Sequence, residues 1–374
     1  MAHHFGKDPV ADAHWLALTQ GIAFGARWLD QMLQRFPSPL AILNCSQGEA
    51  QLYGLASLQR SIDSSSTQCH VETLAALQNL YLVVVGDREY PPLLAQCSDR
   101  PPFLFVYGDV AAIGDAALSI VGTRRPSLEG RRAAEAFAAE AVRLGRVVVS
   151  GLALGIDALA HEAALMAGGR TVAVLPSGIN RIYPARHRDL GHRIACSGAL
   201  VSEFPFATPP RKHHFHRRNR TLSGLSAATL VIEAGRPSGT LITASAAADQ
   251  GRDVMALPWS IYHPQGAGCR FLLEDGALPL YSIASLEEHI GTLNDLGVVN
   301  ARRAASSQPR DQSLLDGHER AIMQLIGRSS ATPEELALHL RWDLDHCLSC
   351  LSGLEVTGWV TRGARGYIAI QSAT

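Results

Sequence analysis

Short apolar strands alternate with helices between residues 80 and 257, and this alternation limits the fold more than any other feature of the sequence. The predicted strands are largely apolar on both faces, whereas a strand with one solvent-exposed face alternates polar and apolar residues. They lie at 81–85, 103–107, 118–121, 147–149, 171–175, 200–201, 229–232 and 254–257. The pattern predicts an α/β fold in which helices cover both faces of a mostly parallel sheet. Such sheets bind ligands beyond the carboxyl ends of their strands.

The sequence on either side of this region predicts two smaller units. Residues 1–75 carry apolar side chains at helical spacing, which predicts a small helical domain. Residues 293–313 are predicted to be a linker, because Asn300–Ser313 is polar and featureless. In 314–374, three helical segments precede two short strands, the order of a winged helix-turn-helix domain.

A basic run, Arg211–Arg220, holds five Lys or Arg, three His, one Phe and one Asn, and no acid. The formal net charge of the chain is only −1, so the run is a local excess of cations. Cations neutralise phosphates, and an aromatic ring offers a face to an unstacked base. A solvated basic loop is the alternative. Because apolar sequence follows at once and predicts a helix over 218–225, we interpret the run as an ordered nucleic-acid site.

Three strand-to-helix loops carry small or basic residues. They are 121–127, 150–157 and 233–240. Backbone N–H groups at a helix N-terminus bind anions, and an arginine adds a charged fork for phosphate. Three such loops at one sheet edge, beside the basic run, predict an anion-lined groove.

The sequence gives little support to enzymatic or metal chemistry. Neither G-x-G-x-x-G after the first strand nor G-x-x-x-x-G-K-[ST] is present. His161 could act as an acid or base, but its alanine neighbours favour packing. Tyr183-Pro184 is predicted to be a structural turn, and Cys347 and Cys350 lack a second cysteine pair and are predicted to pack. We therefore predict no catalytic residue, no metal and no cofactor.

The composition predicts a cytoplasmic protein. No stretch of 18 apolar residues occurs, and the N-terminus lacks the apolar core of a signal peptide. Seven scattered cysteines fit reduced thiols rather than a disulfide framework.

Six ordered segments resemble the DNA-processing protein A (DprA/Smf) family. They are I-V-G-T-R-R (120–125), S-G-L-A-L-G-I-D-A-L-A-H (150–161), A-V-L-P-S-G-I-N-R-I-Y-P (173–184), K-H-H-F-H-R-R-N-R (212–220), E-A-G-R-P-S-G-T-L-I-T-A (233–244) and G-A-G-C-R (266–270). The resemblance implies an extended Rossmann-like domain over 80–292, flanked by a sterile-alpha-motif-like (SAM-like) domain and a winged-helix domain. It also implies a homodimer that binds and protects incoming single-stranded DNA and loads the recombinase RecA during natural transformation.

The resemblance further implies which residues contact DNA. They are Gly122, Thr123 and Arg124, then Lys212, Phe215, Arg218, Asn219 and Arg220, then Ser238, Gly239 and Thr240. The chain departs from the family pattern at His216, where the family usually has proline, and also at Trp259 and Arg270. None of these three is a phosphate contact of the family.

Two other functions fit part of the sequence. A nucleotide phosphoribohydrolase-like enzyme on a related fold has a Gly-Gly-x-Gly-Thr loop that Pro237–Thr240 matches loosely. No acid follows Thr240 where the catalytic glutamate of such an enzyme would stand. A structural partner protein with an incidental basic loop would bind no DNA even at low salt.

The C-terminal unit has an unusual charge for a DNA-binding domain. A winged helix-turn-helix normally lays the second helix of the motif in the major groove. Here that helix is predicted at 344–356, and it contains two acids and no Lys or Arg. A duplex carries one negative charge per ~1.7 Å and would repel this face. The sequence therefore predicts that this unit binds protein rather than double-stranded DNA.

Overall fold

The structure, a computed structural model, describes residues 2–20, 26–36, 38–46, 70, 72–73, 77, 79–290, 317–326, 331–356, 359–363 and 366–369. The chain divides into two compact units, Met1–Glu288 and His289–Thr374. The predicted linker over 293–313 lies outside the described residues.

Among the described residues of the first unit, ten strands form one mixed sheet. In chain order they are β1 (His3–His4), β2 (Leu80–Val84), β3 (Phe103–Gly108), β4 (Ala117–Val121), β5 (Val147–Ser150), β6 (Thr171–Val174), β7 (Ala199–Ser202), β8 (Ala228–Val231), β9 (Asp253–Ala256) and β10 (Leu278–Pro279). Their spatial order is β1-β2-β3-β7-β6-β5-β4-β8-β9-β10. The seven neighbouring strands β7-β6-β5-β4-β8-β9-β10 pair in parallel. The pairs β1-β2, β2-β3 and β3-β7 are antiparallel. The predicted α/β fold with a mostly parallel sheet is confirmed.

Helices connect most of these strands. They are α1 (Pro9–Gln20), α2 (Ala26–Arg35), α3 (Pro39–Leu43), α4 (Pro92–Ala95), α5 (Leu128–Arg143), α6 (Ile156–Met166), α7 (Arg188–Ser197), α8 (Lys212–Gly224), α9 (Gly239–Asp249) and α10 (Ala267–Glu274). Every residue of β4 and β8 is buried, as expected for strands that helices cover on both faces. Within the described residues, no helix has the length and apolar character needed to cross a membrane.

The N-terminal helices share a core with the sheet. Leu16 and Ile42 belong to the same buried cluster as Leu80 and Phe105, and β1 extends the sheet by pairing with β2. These contacts explain why the first compact unit begins at Met1 rather than near residue 80. The separate helical domain over 1–75 stays a prediction, since 47–69 lie outside the described residues.

The described residues of the second unit form three helices and a hairpin, in the predicted order. They are α11 (Gly317–Ile326), α12 (Pro333–Leu340), α13 (Leu344–Val356), β11 (Val360–Gly363) and β12 (Gly366–Ala369). Thr332 caps α12: its Oγ1 accepts from the Glu335 N–H at 3.3 Å, and its own N–H donates to Glu335 Oε2 at 2.9 Å. The buried Cys347 packs in the core of this unit. The assignment as a winged helix stays a prediction.

Candidate functional site

The strand order reverses at β4. Strands β5, β6 and β7 lie on one side of it, and β8, β9 and β10 lie on the other. Chains leave the two central strands in opposite directions at such a reversal and open a crevice beyond their carboxyl ends. Gly122–Arg124 follows β4 directly, and Ser238–Thr240 connects β8 to α9. Two predicted site loops therefore meet where this fold class binds ligands.

A cavity of about 620 Å³ occupies this crevice. It is lined by ten of the eleven predicted residues, namely Gly122, Thr123, Arg124, Lys212, Phe215, Arg218, Asn219, Ser238, Gly239 and Thr240. The rest of the wall comes from Val121, Ala153, Asp157, Tyr183, His216, Leu222, Ile242 and Thr243. Arg124 and Lys212 are exposed, whereas Asp157, Arg218 and Thr243 are buried. The free positive charge therefore lies at the rim of the cavity.

The basic run is part of helix α8 and not a loop that precedes a helix. We predicted a helix over 218–225, but α8 begins at Lys212, immediately after two prolines and Arg211. The run itself contains no Pro or Gly, so nothing in it stops the helix. Helical spacing of three and four residues places Phe215, His216 and Asn219 on the same face as Lys212, and all four line the cavity.

Arg220 lies outside the cavity. Successive side chains of a helix diverge by about 100°, so Arg220 points away from the wall that Asn219 forms. Its guanidinium pairs with Asp99 and lies 3.7 Å from Asp249 Oδ2, at the far end of α9. The DNA contact predicted for Arg220 stays a prediction, and this position does not support it.

Arg218 is buried in the cavity wall, with 5% of its surface exposed. Its Nη1 donates to the carbonyl oxygens of Gly151 and, at 2.9 Å, Val174, and its Nε donates to Asn219 Oδ1 at 3.0 Å. Burial lowers the pKa of this guanidinium to about 10. A Cβ on Gly151 would collide with Nη1, so the close approach requires glycine. Arg218 therefore joins the ends of β5 and β6 to α8, which the sequence did not indicate.

Asp157 is the one carboxylate among the described residues that line the cavity, and sequence reasoning gave it no role. Its Oδ2 accepts from the backbone N–H groups of Gly151 at 3.2 Å and Ala153 at 3.3 Å. Burial raises the pKa of this carboxyl, and the positive charge of Arg218 opposes that rise. The position of Asp157 in the first turn of α6 was visible in the sequence, but its burial beside Arg218 was not.

Phe215 is an aromatic side chain in the cavity wall. Tyr183 packs edge-to-face against it with ring centroids 5.8 Å apart. The guanidinium carbons of Arg124 and Arg218 lie 5.7 and 5.8 Å from its centroid. Tyr183, which we predicted to be part of a structural turn, therefore also lines the cavity. The half-buried ring is held by these neighbours and offers a π-face to a ligand.

Glu233 and Ser238 fix the two loops from the central strands. The buried Glu233 accepts the Ser127 N–H at the start of α5 through Oε2 at 2.9 Å, and its carbonyl accepts from Thr123 N at 2.7 Å. The N-terminus of α5 is thus already neutralised by a carboxylate. At α9, Ser238 Oγ accepts from Thr240 N at 3.1 Å, and the helix start lies in the cavity wall. The N-terminus of α9 therefore lies where its positive end would favour an anion in the cavity.

His161 is a packing residue, as the sequence favoured. The ring is fully buried, and burial lowers its pKa to about 3. The Thr171 hydroxyl donates to Val148 O at 2.7 Å and therefore accepts from His161 Nδ1, also at 2.7 Å. His161 does not line the cavity.

Comparison with known proteins gives the following similarities. The family model for DNA recombination-mediator protein A matches residues 81–291. Protein Smf of Escherichia coli (strain K12) is 33% identical over 99% of this chain and 93% of its own length. DNA processing protein DprA of Bacillus subtilis (strain 168) is 37% identical over 58% of this chain and 73% of its own length.

Two solved structures are also similar. DNA processing protein A from Streptococcus pneumoniae superposes with a TM-score of 0.54 and 31% identity, covering 62% of this chain and 85% of its own. DNA processing protein A from Helicobacter pylori superposes with a TM-score of 0.50 and 29% identity, covering 55% of this chain and 92% of its own. The work on the Helicobacter pylori protein concerns its mode of binding single-stranded DNA.

Proposed function

We propose, from the premise that the chain belongs to the DNA recombination-mediator protein A family, that it binds single-stranded DNA in the cavity beyond β4 and β8. The observation that carries the proposal is the placement of exposed Arg124 and Lys212 at the rim beside the half-buried ring of Phe215. Cations that track phosphates, together with an aromatic face for a base, are what sequence-tolerant single-strand binding needs.

Each wall of the cavity has a role in this proposal. Arg124, Lys212 and the backbone N–H groups of Ser238 and Gly239 bind phosphates, while Phe215 stacks on a base. The Thr240 N–H already donates to Ser238 Oγ and holds the start of α9 in place. Asn219 Oδ1 already accepts from Arg218, so its amide N–H groups remain to donate to DNA. Gly122 and Thr123 form the part of the wall that the DNA passes beyond β4. Arg218 supports this surface from beneath.

We extend the proposal to the wider role that the family resemblance implies. The chain protects incoming single strands and loads RecA during natural transformation, as a non-enzymatic homodimer in the cytoplasm. The proposal is supported by the relatives' description as DNA processing proteins and by the family's description as a recombination mediator. Sedimentation tests the dimer. RecA-dependent strand exchange on single-stranded DNA, measured with and without this protein, tests RecA loading. An exchange rate that this protein leaves unchanged would contradict the loading role.

Removing either rim cation should weaken salt-dependent binding. Arg124→Ala and Lys212→Ala should each make the slope of log K against log salt shallower by about 0.7 on single strands, because one phosphate contact is lost. The slope is measured by titrating fluorescent oligo-dT at several salt concentrations.

Arg220→Ala is the matched control for this experiment. It removes a cation from the same helix whose guanidinium pairs with acids away from the cavity. Its slope should equal that of the wild type. Equal slopes for Lys212→Ala and the wild type would remove Lys212 from the DNA footprint.

The phosphoribohydrolase alternative has less support. Leu241, Ile242 and Thr243 follow Thr240, so no acid stands directly after Thr240, where the catalytic glutamate of such an enzyme would be expected. The carboxylate that does line the cavity, Asp157, is buried, and its Oδ2 accepts two backbone hydrogen bonds. We expect no release of free base from nucleoside monophosphates. Catalytic release that Asp157→Asn abolishes would favour the enzyme.

Deleting residues 314–374 should leave single-strand affinity within about threefold, since the proposed contacts all lie in the first unit. We propose that the C-terminal unit binds protein instead. A fragment of this unit should bind no duplex at ~50 mM salt, where charges are weakly screened. Micromolar duplex binding by that fragment, or a larger loss on deletion, would contradict this assignment.

A further inference from the structure

His216 is an exposed residue of the cavity wall that no family pattern assigns to DNA. It lies one helical turn after Lys212 and three residues before Asn219, on the face of α8 that forms the wall. Proline at this position would remove the N–H that bonds one turn back and would clash with that carbonyl. Histidine therefore lets α8 begin at Lys212 and also places an imidazole in the groove.

We propose that His216 is a further DNA contact of this chain, whose protonated ring binds a phosphate and makes single-strand affinity depend on pH. This inference rests on the proposed function. A histidine is the one side chain that ordinarily changes charge between pH 5 and 8, and in its protonated form both ring nitrogens donate hydrogen bonds.

The charges around His216 favour a phosphate as its partner. From its own helix, Lys212 and Arg218 face the cavity, and Arg124 faces it from the loop after β4. The elements that pack against α8 are α4, β6 and α9. Neither α4, nor β6, nor the N-terminal half of α9 contains an ionisable residue. The one acid of α9, Asp249, lies at its C-terminal end beside Arg220. The carboxylate that lines the cavity, Asp157, is buried and bonded to backbone. A phosphate that contacts a histidine favours the protonated form of the ring. Binding should therefore take up a proton.

The two other histidines of the basic run have different surroundings. His214 is buried, its Nδ1 lies 3.2 Å from Pro176 O, and its ring stacks on Phe204 with centroids 4.3 Å apart. Burial lowers the pKa of His214, which keeps it neutral in this range. His213 is exposed but does not line the cavity. It is therefore a matched control on the same helix.

The test compares full-length wild type, His216→Gln and His213→Gln on fluorescent oligo-dT at about pH 8 and about pH 5.5, at fixed ionic strength. One added phosphate contact corresponds to about fivefold tighter binding at ~0.1 M salt and a slope steeper by about 0.7. We expect the wild type and His213→Gln to show this gain on acidification. His216→Gln should match the wild type at the higher pH and show little gain at the lower one.

Two outcomes would overturn the inference while the proposed function stands. One is wild-type binding that does not change with pH. The other is an equal gain in His216→Gln, which would point to Asp157, since burial raises the pKa of that carboxyl and acidification removes its negative charge. Absence of wild-type binding at both pH values would instead overturn the proposed function, and this inference with it.

Discussion

Replacing Arg218 by leucine is expected to lower the free energy of unfolding by about 3–5 kcal/mol at neutral pH. The buried guanidinium satisfies two carbonyl oxygens and balances the charge of Asp157. Leucine would leave both carbonyls without their donor and the carboxylate without its nearest compensating charge. Urea denaturation followed by circular dichroism measures the loss.

The pH dependence of this loss has a definite sign. Burial raises the folded-state pKa of Asp157, so its ionised form costs stability as pH rises through that raised pKa. Without Arg218 this cost grows. The stability difference between Arg218→Leu and the wild type should therefore narrow as pH falls and Asp157 gains its proton. Adding Asp157→Asn to Arg218→Leu should recover part of the loss at neutral pH.

The same variant separates two roles for Arg218. If it were mainly a phosphate ligand, as the family resemblance implied, Arg218→Leu would make the salt slope shallower by about 0.7 and change stability little. A stability loss under about 1 kcal/mol together with that shallower slope would contradict the supporting role described here.

Phe215→Ala should weaken binding to oligo-dT by about 1–3 kcal/mol, or roughly five- to 150-fold in Kd. The substitution removes the π-face on which a base stacks but no charge, so the salt slope should not change. The ring is half-buried and braced by Tyr183 and two arginines, so the variant should remain folded. Fluorescence anisotropy at two salt concentrations measures both quantities.

Phe271→Ala is a matched control for Phe215→Ala. Phe271 is also half-buried beneath an arginine, with Arg236 at 4.0 Å from its centroid, but it does not line the cavity. It should lose packing without losing DNA affinity. If Phe215→Ala lowered thermal stability and left affinity unchanged, Phe215 would be a packing residue and not a stacking platform.

The sequence alone determined the fold class and predicted the sheet edge at which the cavity lies. Strands such as 118–121 and 229–232 are apolar on both faces, and only a sheet covered on both sides buries them. Their carboxyl ends then define the edge where Gly122–Arg124 and Ser238–Thr240 meet. Strand periodicity and loop position are local properties of the chain, and a sequence displays them directly.

The tertiary structure decided which side chains face the site. The basic run showed five cations, but the rotation of α8 turns Lys212 and Asn219 toward the cavity and Arg220 toward Asp99 and Asp249. Burial of Arg218 between two strand ends and the presence of Asp157 in the wall depend on residues far apart in sequence. Charge composition is additive along the chain, whereas burial and direction arise only when distant segments pack together.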